Sequence, residues 1–543
     1  EITTRLVGSE MCIRDRMKIA LAQLNYTVGD VAGNTNKIIE SVRRAKAEGA
    51  DLVVFAEQAI SGAPSFDLLR KNPFLEQCED ALMRIAAECD TVDAIVGLPI
   101  LTKEGTISAA ALIQQGRVVR YVGKQNITVR RELGFLTPSK GCEYVTIRGC
   151  RCALVVGDDL FHTPDFDKSV ETVINIHARR YRKGDLSRRY DVIRNIAYVK
   201  GKNVVMVNQV GGATELVYDG MSGVMDNRGK LVRLLKSFEE DFQVFDTENP
   251  ACSVESVPVS VNDRTRFIYE AACCGLRDFF VKNGYKKACV GVSGGIDSAV
   301  VACLAVAALG AENVRGLMMP SQFSSEGSVE DAKQLAENLG IEFHVVPITE
   351  AYRSIVDTLI PVIGGTDFDA TEENIQSRIR TLMLMALQNK NGYVLLNCSN
   401  KSENALGICT LYGDTGGAFS VTGDLYKTEM YDLARYINRK FGAPIPENIL
   451  TKEPSSELRP NQKDSDMLPS YEVVDAILYR LIEDGQSREE IINAGFDSDE
   501  VQKIYAMVMR NEKKRFQYPP VLRLSSSSFG HEYRMPLTHK YVK

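Results

Sequence analysis

KACVGVSGGIDSAVVACLAVAALG, residues 287–310, decides the fold. A short β-rich run gives way to two glycines between serines, and then to an apolar stretch too long for a strand, so the pattern is strand, turn, helix. Gly294 and Gly295 let backbone N–H groups approach an anion, the helix N-terminus adds partial positive charge, and Ser293 and Ser298 can donate hydrogen bonds. With Gly291, Val292 and Ile296, these residues form a candidate phosphate loop. Asp297 would repel a phosphate unless a divalent cation stood between them, which makes it a candidate metal ligand. The plainer alternative is a glycine turn with Ser and Asp as helix caps. The strand-turn-helix context favours the phosphate loop.

Working outward, the run RFIYEAACCGLRDFFVKNG precedes this stretch as a helix, and VRGLMM, VEDAKQLAENLG and EFHVVP follow it as strand, helix and strand. That alternation predicts a doubly wound parallel sheet. From Tyr471 the chain reads as helical to about Lys514, ahead of an irregular Ser- and Pro-containing tail. In the first half, KIALAQL, a helix from Asn36 to Glu48, DLVVFAE, a helix near Leu75 to Cys89 and DAIVGLPI again alternate. Later strand and hairpin runs turn this half into an α/β sandwich of sheets with outer helices, an α-β-β-α order. FDTENPACSVESVPVSVNDR has Pro and Asn breaks and little periodicity, so it reads as the joint. The expected division is a non-native or disordered extension over 1–16, a first domain over 17–255, a linker over 256–263 and a second domain over 264–543.

The chain has 543 residues, 44% hydrophobic and 25% charged, which excludes a single small module and disordered or collagen-like classes. Its net charge of -6 is too mild for a non-specific nucleic-acid or anionic-membrane binder, so small molecules or another subunit are the expected partners. The basic run Arg179 to Lys183, with Arg188 and Arg189, reads as a solvated loop or subunit contact. Thirteen scattered cysteines without CxxC or zinc spacing fit reduced thiols in a cytoplasmic protein.

SGGIDS resembles the pyrophosphate loop of the ATP pyrophosphatase family. GLMMPSQFSSEGSVEDAKQLAENLGI, ENIQSRIRTLMLMAL, NKSENALGICTLYGDTGGAFSVTGDLYKTEMYDLA, EPSSELRPNQKDSDMLPSY and NEKKRFQYPP are similar to successive blocks of the NAD⁺ synthetases. The first half is similar to the nitrilase-like glutaminase domain fused to them in the glutamine-dependent NAD⁺ synthetase family. The resemblance implies a ligase that adenylates deamido-NAD with ATP, releases pyrophosphate, and lets ammonia displace AMP. It implies Mg²⁺ on Asp297 and Glu403, Lys427 near the phosphates, and deamido-NAD at Asn374, Arg378, Glu403, Asp414 and Lys514. It also implies a homo-oligomer, a dimer whose interface includes the helix from Asn374 to Leu387. Cys398 and Ser399 stand where the family has Thr-Gly before Asn-Lys-Ser-Glu, so a thiol, a weaker donor, replaces a hydroxyl expected near ATP.

Nitrilase-type amidases use a Glu base, a Lys and a nucleophilic Cys. Glu57, after Ala56 in place of the usual Pro, and Lys124 match the first two, whereas Gly157 takes the position of the nucleophile. Cys152 lies an odd number of residues upstream, which in a strand points it to the opposite face. The family's Ser-Ala-Ser aligns with His177, Ala178 and Arg179, its next Lys with Asp185, and a Tyr with Arg130. Covalent catalysis needs an attacking atom, so ammonia rather than glutamine is the expected nitrogen donor. Gly157 speaks against a working glutaminase, while Asp297, Glu403 and Lys427 speak against a decayed scaffold.

Overall fold

The computed structural model describes residues 17–127, 132–139, 143–162, 165–247, 261–364 and 368–541, with nothing stated for the side chains of 261–263. The expectations for residues 1–16, for Arg130 and for the linker up to residue 260 lie outside them. Contacts divide the chain into two compact units. Among the described residues, the first takes in Met17 to Arg180, Asp185–Gly211 and Tyr218 to Thr247; the second takes in Tyr181–Gly184, Gly212–Val217 and the chain from Val261.

The first unit contains two six-stranded sheets. In one, Lys18–Gln23 pairs antiparallel with Asp241–Asp246 and parallel with Leu52–Val54, and Asp93–Thr102, Gly105–Gln114 and Arg117–Gly123 follow in order. In the other, Asn203–Asn208, Thr172–His177 and Cys150–Val156 run parallel, with Glu143–Ile147 at one edge and Gly223–Met225 and Leu231–Leu234 on the other side. Alternation along each strand gives every sheet two apolar faces. Ile19, Leu21, Leu52 and Val54 meet Cys152, Leu154, Val156, Ile174 and Val205 between the sheets. Ala20, Ala22, Val53 and Phe55 pack against the helices Val31–Ala47 and Asn72–Ala87. The first of these helices begins five residues before the expected start: Asp30 caps it by accepting from the Gly33 N–H at 2.9 Å.

The second unit is built on a five-stranded parallel sheet, ordered Glu342–Val345, Val314–Met318, Lys287–Gly291, Tyr393–Asn397, Phe419–Ser420. Lys287–Gly291 lies between a strand that follows it in the chain and one reached by a long crossover, so the order reverses at its carboxyl end, where ligands of open α/β sheets bind. The helix Val261–Asn283 starts inside the segment expected as linker. Helices Tyr471–Ile482, Arg488–Asn493 and Ser498–Arg510 share a core around Val474, Leu478, Ile504 and Val508 that also takes in Ala405, Leu406 and Tyr426. No helix among the described residues is long and apolar enough to cross a membrane.

Candidate active site

The loop after Lys287–Gly291 opens directly into the helix Ile296–Leu309, whose N-cap Gly295 has no side-chain capping bond. Its first N–H groups therefore remain for another acceptor. Gly294 has φ of +77°, and a Cβ there would lie 2.2 Å from the Ser328 carbonyl oxygen, so only glycine fits. Ser298 Oγ donates to the Gly295 carbonyl at 3.0 Å and lies 3.1 Å from Ser293 Oγ, which closes the loop on itself.

Around the loop is a cavity of about 330 Å³ lined by Gly291, Ser293, Asp297, Cys398, Glu403, Asp414 and Lys427, among others. Lys427 opens the helix Lys427–Phe441, and its ammonium stands 2.6 Å from Asp297 Oδ2 and 3.2 Å from Glu403 Oε1. Asn400 joins the group: its side chain donates to Asp297 Oδ1 at 3.0 Å and caps the helix Lys401–Leu406 at the Glu403 N–H. Burial opposes the Lys427 ammonium, but Asp297 and Glu403 outweigh it and hold its pKa well above the usual value. Burial, with the like charge of Asp297, pushes Glu403 up to about 7 against the pull of Lys427. The Cys398 thiol is pushed up by burial and by the carboxylates of Asp297 and Glu403, so it is present as a neutral thiol facing the cavity.

The other residues expected at the second substrate gather on one loop. Thr410 Oγ1 donates to Asn374 at 2.5 Å, Arg378 donates to the Leu411 carbonyl at 3.2 Å, and Lys514 donates to the carbonyls of Gly407 and Cys409 at 2.7 and 2.8 Å. Asp414 accepts from the Thr410 N–H at 2.7 Å, and burial raises its pKa to about 6. Of these four, Asp414 lines the cavity; Asn374, Arg378 and Lys514 support the loop that carries it. Sequence reasoning missed Arg380. It also lines the cavity, donates to the Met319 carbonyl at 2.9 Å, and has a pKa lowered by burial to about 10. Its side-chain direction, two positions past Arg378 on the helix Ala370–Asn391, is set by packing rather than by a local motif.

In the first unit Glu57 and Lys124 stand 3.2 Å apart and almost fully buried. Ser108 donates to Glu57 at 2.8 Å, and Glu132, which the sequence did not single out, takes the Lys124 ammonium at 2.9 Å. Burial raises the Glu57 pKa, and for Lys124 the neighbouring Glu57, Glu132 and Asp158 overcome the burial penalty and raise its pKa too. Gly157 faces this pair: a Cβ built on it would lie 2.7 Å from Lys124 Nζ and 2.8 Å from Glu57 Oε2, at a φ of +60°. Cys152 lies in the core between the sheets, as its odd offset required. Arg179 donates to Asp158 at 2.9 Å and to Asp185 at 2.7 Å, and its guanidinium stacks 4.6 Å from the Phe161 ring. The solvated-loop reading of the basic run needs correction. Lys183, at 3% side-chain exposure, is ion-paired at 2.5 Å to Glu429 within the second unit, because a long-range carboxylate compensates its burial.

Residues 268–518 match the NAD synthase family model, and residues 18–127 match the carbon-nitrogen hydrolase model. The chain is 39% identical to the glutamine-dependent NAD(+) synthetase of Aquifex aeolicus, over 97% of this chain and 100% of that one. It is 37% identical to the synthetase of the same name from Thermotoga maritima, over 97% and 99%. Among solved structures, the glutamine-dependent NAD+ synthetase of Acinetobacter baumannii, in complex with ADP, is 33% identical over 96% of this chain and 98% of that one, at a TM-score of 0.77. The Cytophaga hutchinsonii enzyme shares the fold at a TM-score of 0.85 and 20% identity. With a carbon-nitrogen hydrolase match in the first half, an NAD synthase match in the second, and this likeness along the whole chain, the chain belongs to the glutamine-dependent NAD(+) synthetase family of ligases.

Proposed function

We propose that this chain makes NAD⁺ from deamido-NAD and ATP with ammonia, not glutamine, as nitrogen donor. In the reaction the nicotinate carboxylate attacks the α-phosphorus of ATP and displaces pyrophosphate; ammonia then attacks the acyl carbon, the bond to AMP breaks, and a proton leaves the nitrogen. The N–H group of Ile296 at the helix N-terminus and the Lys427 ammonium hold and neutralise the phosphates. Asp414 and Arg380 border the side of the cavity where the dinucleotide would lie, and the Asn374, Arg378 and Lys514 contacts hold that border in place.

The residues also fit Mg²⁺. Two carboxylates share one ammonium, and Glu403 gains proton affinity partly from Asp297, a repulsion that a divalent cation relieves. Mg²⁺ commonly takes one or two carboxylates plus substrate phosphates, so Asp297 and Glu403 would hold it, and when bound it supplies charge neutralisation for departing pyrophosphate.

The observation that carries the choice of ammonia is Gly157. It faces the Glu57–Lys124 pair with no attacking atom, and the thioester route requires one. The substitutions around it agree: Arg179 and Asp185 satisfy each other rather than presenting groups to an amide. The protein is read as cytoplasmic and as a homo-oligomer using the helix Ala370–Asn391, where Leu382 is 66% exposed. Supplying amide-¹⁵N glutamine or ¹⁵N ammonium in ammonia-free buffer tests the donor. Label should enter NAD⁺ from ammonium; comparable incorporation from glutamine overturns the assignment.

A further inference from the structure

The second unit buries a charge cluster that the chemistry above leaves unused. Lys401 and Asp424, with side chains 0% and 1% exposed, stand 2.9 Å apart, and Glu483 takes the same ammonium at 2.5 Å. Onto this cluster folds the C-terminal segment Leu524–Ser528. Asp424 accepts from the N–H groups of Leu524 and Ser525 at 2.8 and 2.7 Å and from the hydroxyls of Ser525 and Ser528 at 2.8 and 2.7 Å. Lys401 donates to Ser525 Oγ at 2.7 Å and to the Ser527 carbonyl at 3.0 Å, and Ser526 donates to Glu483. All five tail residues thus bind it. Buried ion groups of this kind add little net stability and are often better explained by the geometry they impose.

That geometry leads to the phosphate site. Lys401 sits between Asn400, which holds Asp297 and the Glu403 N–H, and Glu403 itself. Asp424 lies three residues before Lys427, and the Lys401 N–H donates to the intervening Leu425 carbonyl at 2.7 Å. The Lys427 N–H in turn donates to Ser402 Oγ at 2.9 Å. The buried pair therefore bridges the two segments that carry the opposing charges of the site. We infer that Leu524–Ser528 is a wedge that sets the spacing of Lys427 from Asp297 and Glu403, with Lys401 and Asp424 as positioning residues for adenylation. The inference rests on the proposed role of that site.

The test uses the full chain with ATP, Mg²⁺, deamido-NAD and ammonium. A Ser525→Ala, Ser528→Ala double variant removes three hydrogen bonds from the cluster and unpairs no charge. Turnover per folded molecule should fall about tenfold, because small misplacements of reacting groups carry large rate penalties, while the KM for ATP changes less than about twofold. Leu82→Ala, in the core between sheet and helices of the first unit, serves as the control of lowered stability and should keep turnover per folded molecule. Equal turnover in the double variant and the unaltered protein overturns the wedge, as does an equal fall in both variants. If the unaltered protein forms no NAD⁺ from ammonium, the functional assignment falls and the wedge with it; if it does and the double variant matches it, the wedge alone falls.

Discussion

Each unit buries a lysine between two carboxylates: Lys427 between Asp297 and Glu403, and Lys124 between Glu57 and Glu132. The charges are alike, the surroundings are not. Lys427, Asp297 and Glu403 all line a cavity of about 330 Å³ beside the N-terminus of the helix Ile296–Leu309, whereas Lys124 and Glu57 are faced by Gly157, which has no side chain. A buried Lys–carboxylate cluster is therefore not a site by itself. On the proposed reading it becomes one through an atom that can react with a ligand, and Gly157 supplies none in the first unit.

Breaking the Lys427 cluster should have the largest effect. Lys427→Met is expected to slow NAD⁺ formation by about 100- to 1,000-fold, the scale seen on removing one preorganised charge-stabilising donor. Asp297→Ala and Glu403→Ala should lose comparable activity with the fold retained, measured by NAD⁺ formation alongside far-UV circular dichroism. Near-native turnover in any of them would remove that residue from the phosphate site.

Gly294→Ala comes next. The added Cβ meets the Ser328 backbone oxygen at 2.2 Å and occupies a φ of +77°, so the loop must move rather than a side chain. Displacing one N–H from a phosphate contact costs ~1–2 kcal/mol, which predicts a KM for ATP raised about tenfold. An unchanged KM would show that the loop does not hold the phosphates.

The matching change in the other cluster sharpens the contrast. Lys124→Met leaves Glu57 and Glu132 facing each other without a cation, and removing one partner of a buried pair costs about 3–5 kcal/mol of stability. Ammonium-dependent turnover of the folded protein should nevertheless stay within about twofold, since no phosphate contact changes. Denaturant unfolding and initial rates measure the two separately; a large loss of turnover would give the first unit a part in the synthetase reaction.

What the sequence revealed follows the range of the interactions involved. Ser293 to Ser298 were legible because the strand, the turn and the helix that aims its N–H groups are contiguous. The sheets of both units were legible in class because alternation is local, though the first helix begins five residues before the sequence reading put it, at the cap Asp30. Arg380 was not legible: its partner carbonyl, Met319, lies 61 residues away, and nothing in ENIQSRIR separates its direction from that of Arg378. Lys183 was misjudged for the same reason, since Glu429 is 246 residues distant. Glu132 escaped notice because no spacing marks it, although it holds the very lysine the sequence identified.

The smallest effect should come from the substitution that looks most like a repair. Gly157→Cys restores a thiol beside Glu57 and Lys124, yet its Cβ falls 2.7 Å from Lys124 Cε and Nζ, so the lysine must give way before the thiol can fit. The backbone stays at a φ of +60°, which costs a non-glycine residue about 1–2 kcal/mol. Even with both penalties absorbed, the groups that would hold an amide remain tied up, because Arg179 stays paired with Asp158 and Asp185. Amide-¹⁵N transfer from glutamine to NAD⁺ should therefore remain below about one hundredth of the ammonium rate, the scale of a misplaced nucleophile. Adding Arg179→Ser and Asp185→Lys should raise it above the single variant, because both changes release the pocket together. Full glutamine-dependent turnover from Gly157→Cys alone would mean that the rest of the pocket is intact and that the contrast between the two units reduces to one missing sulfur atom.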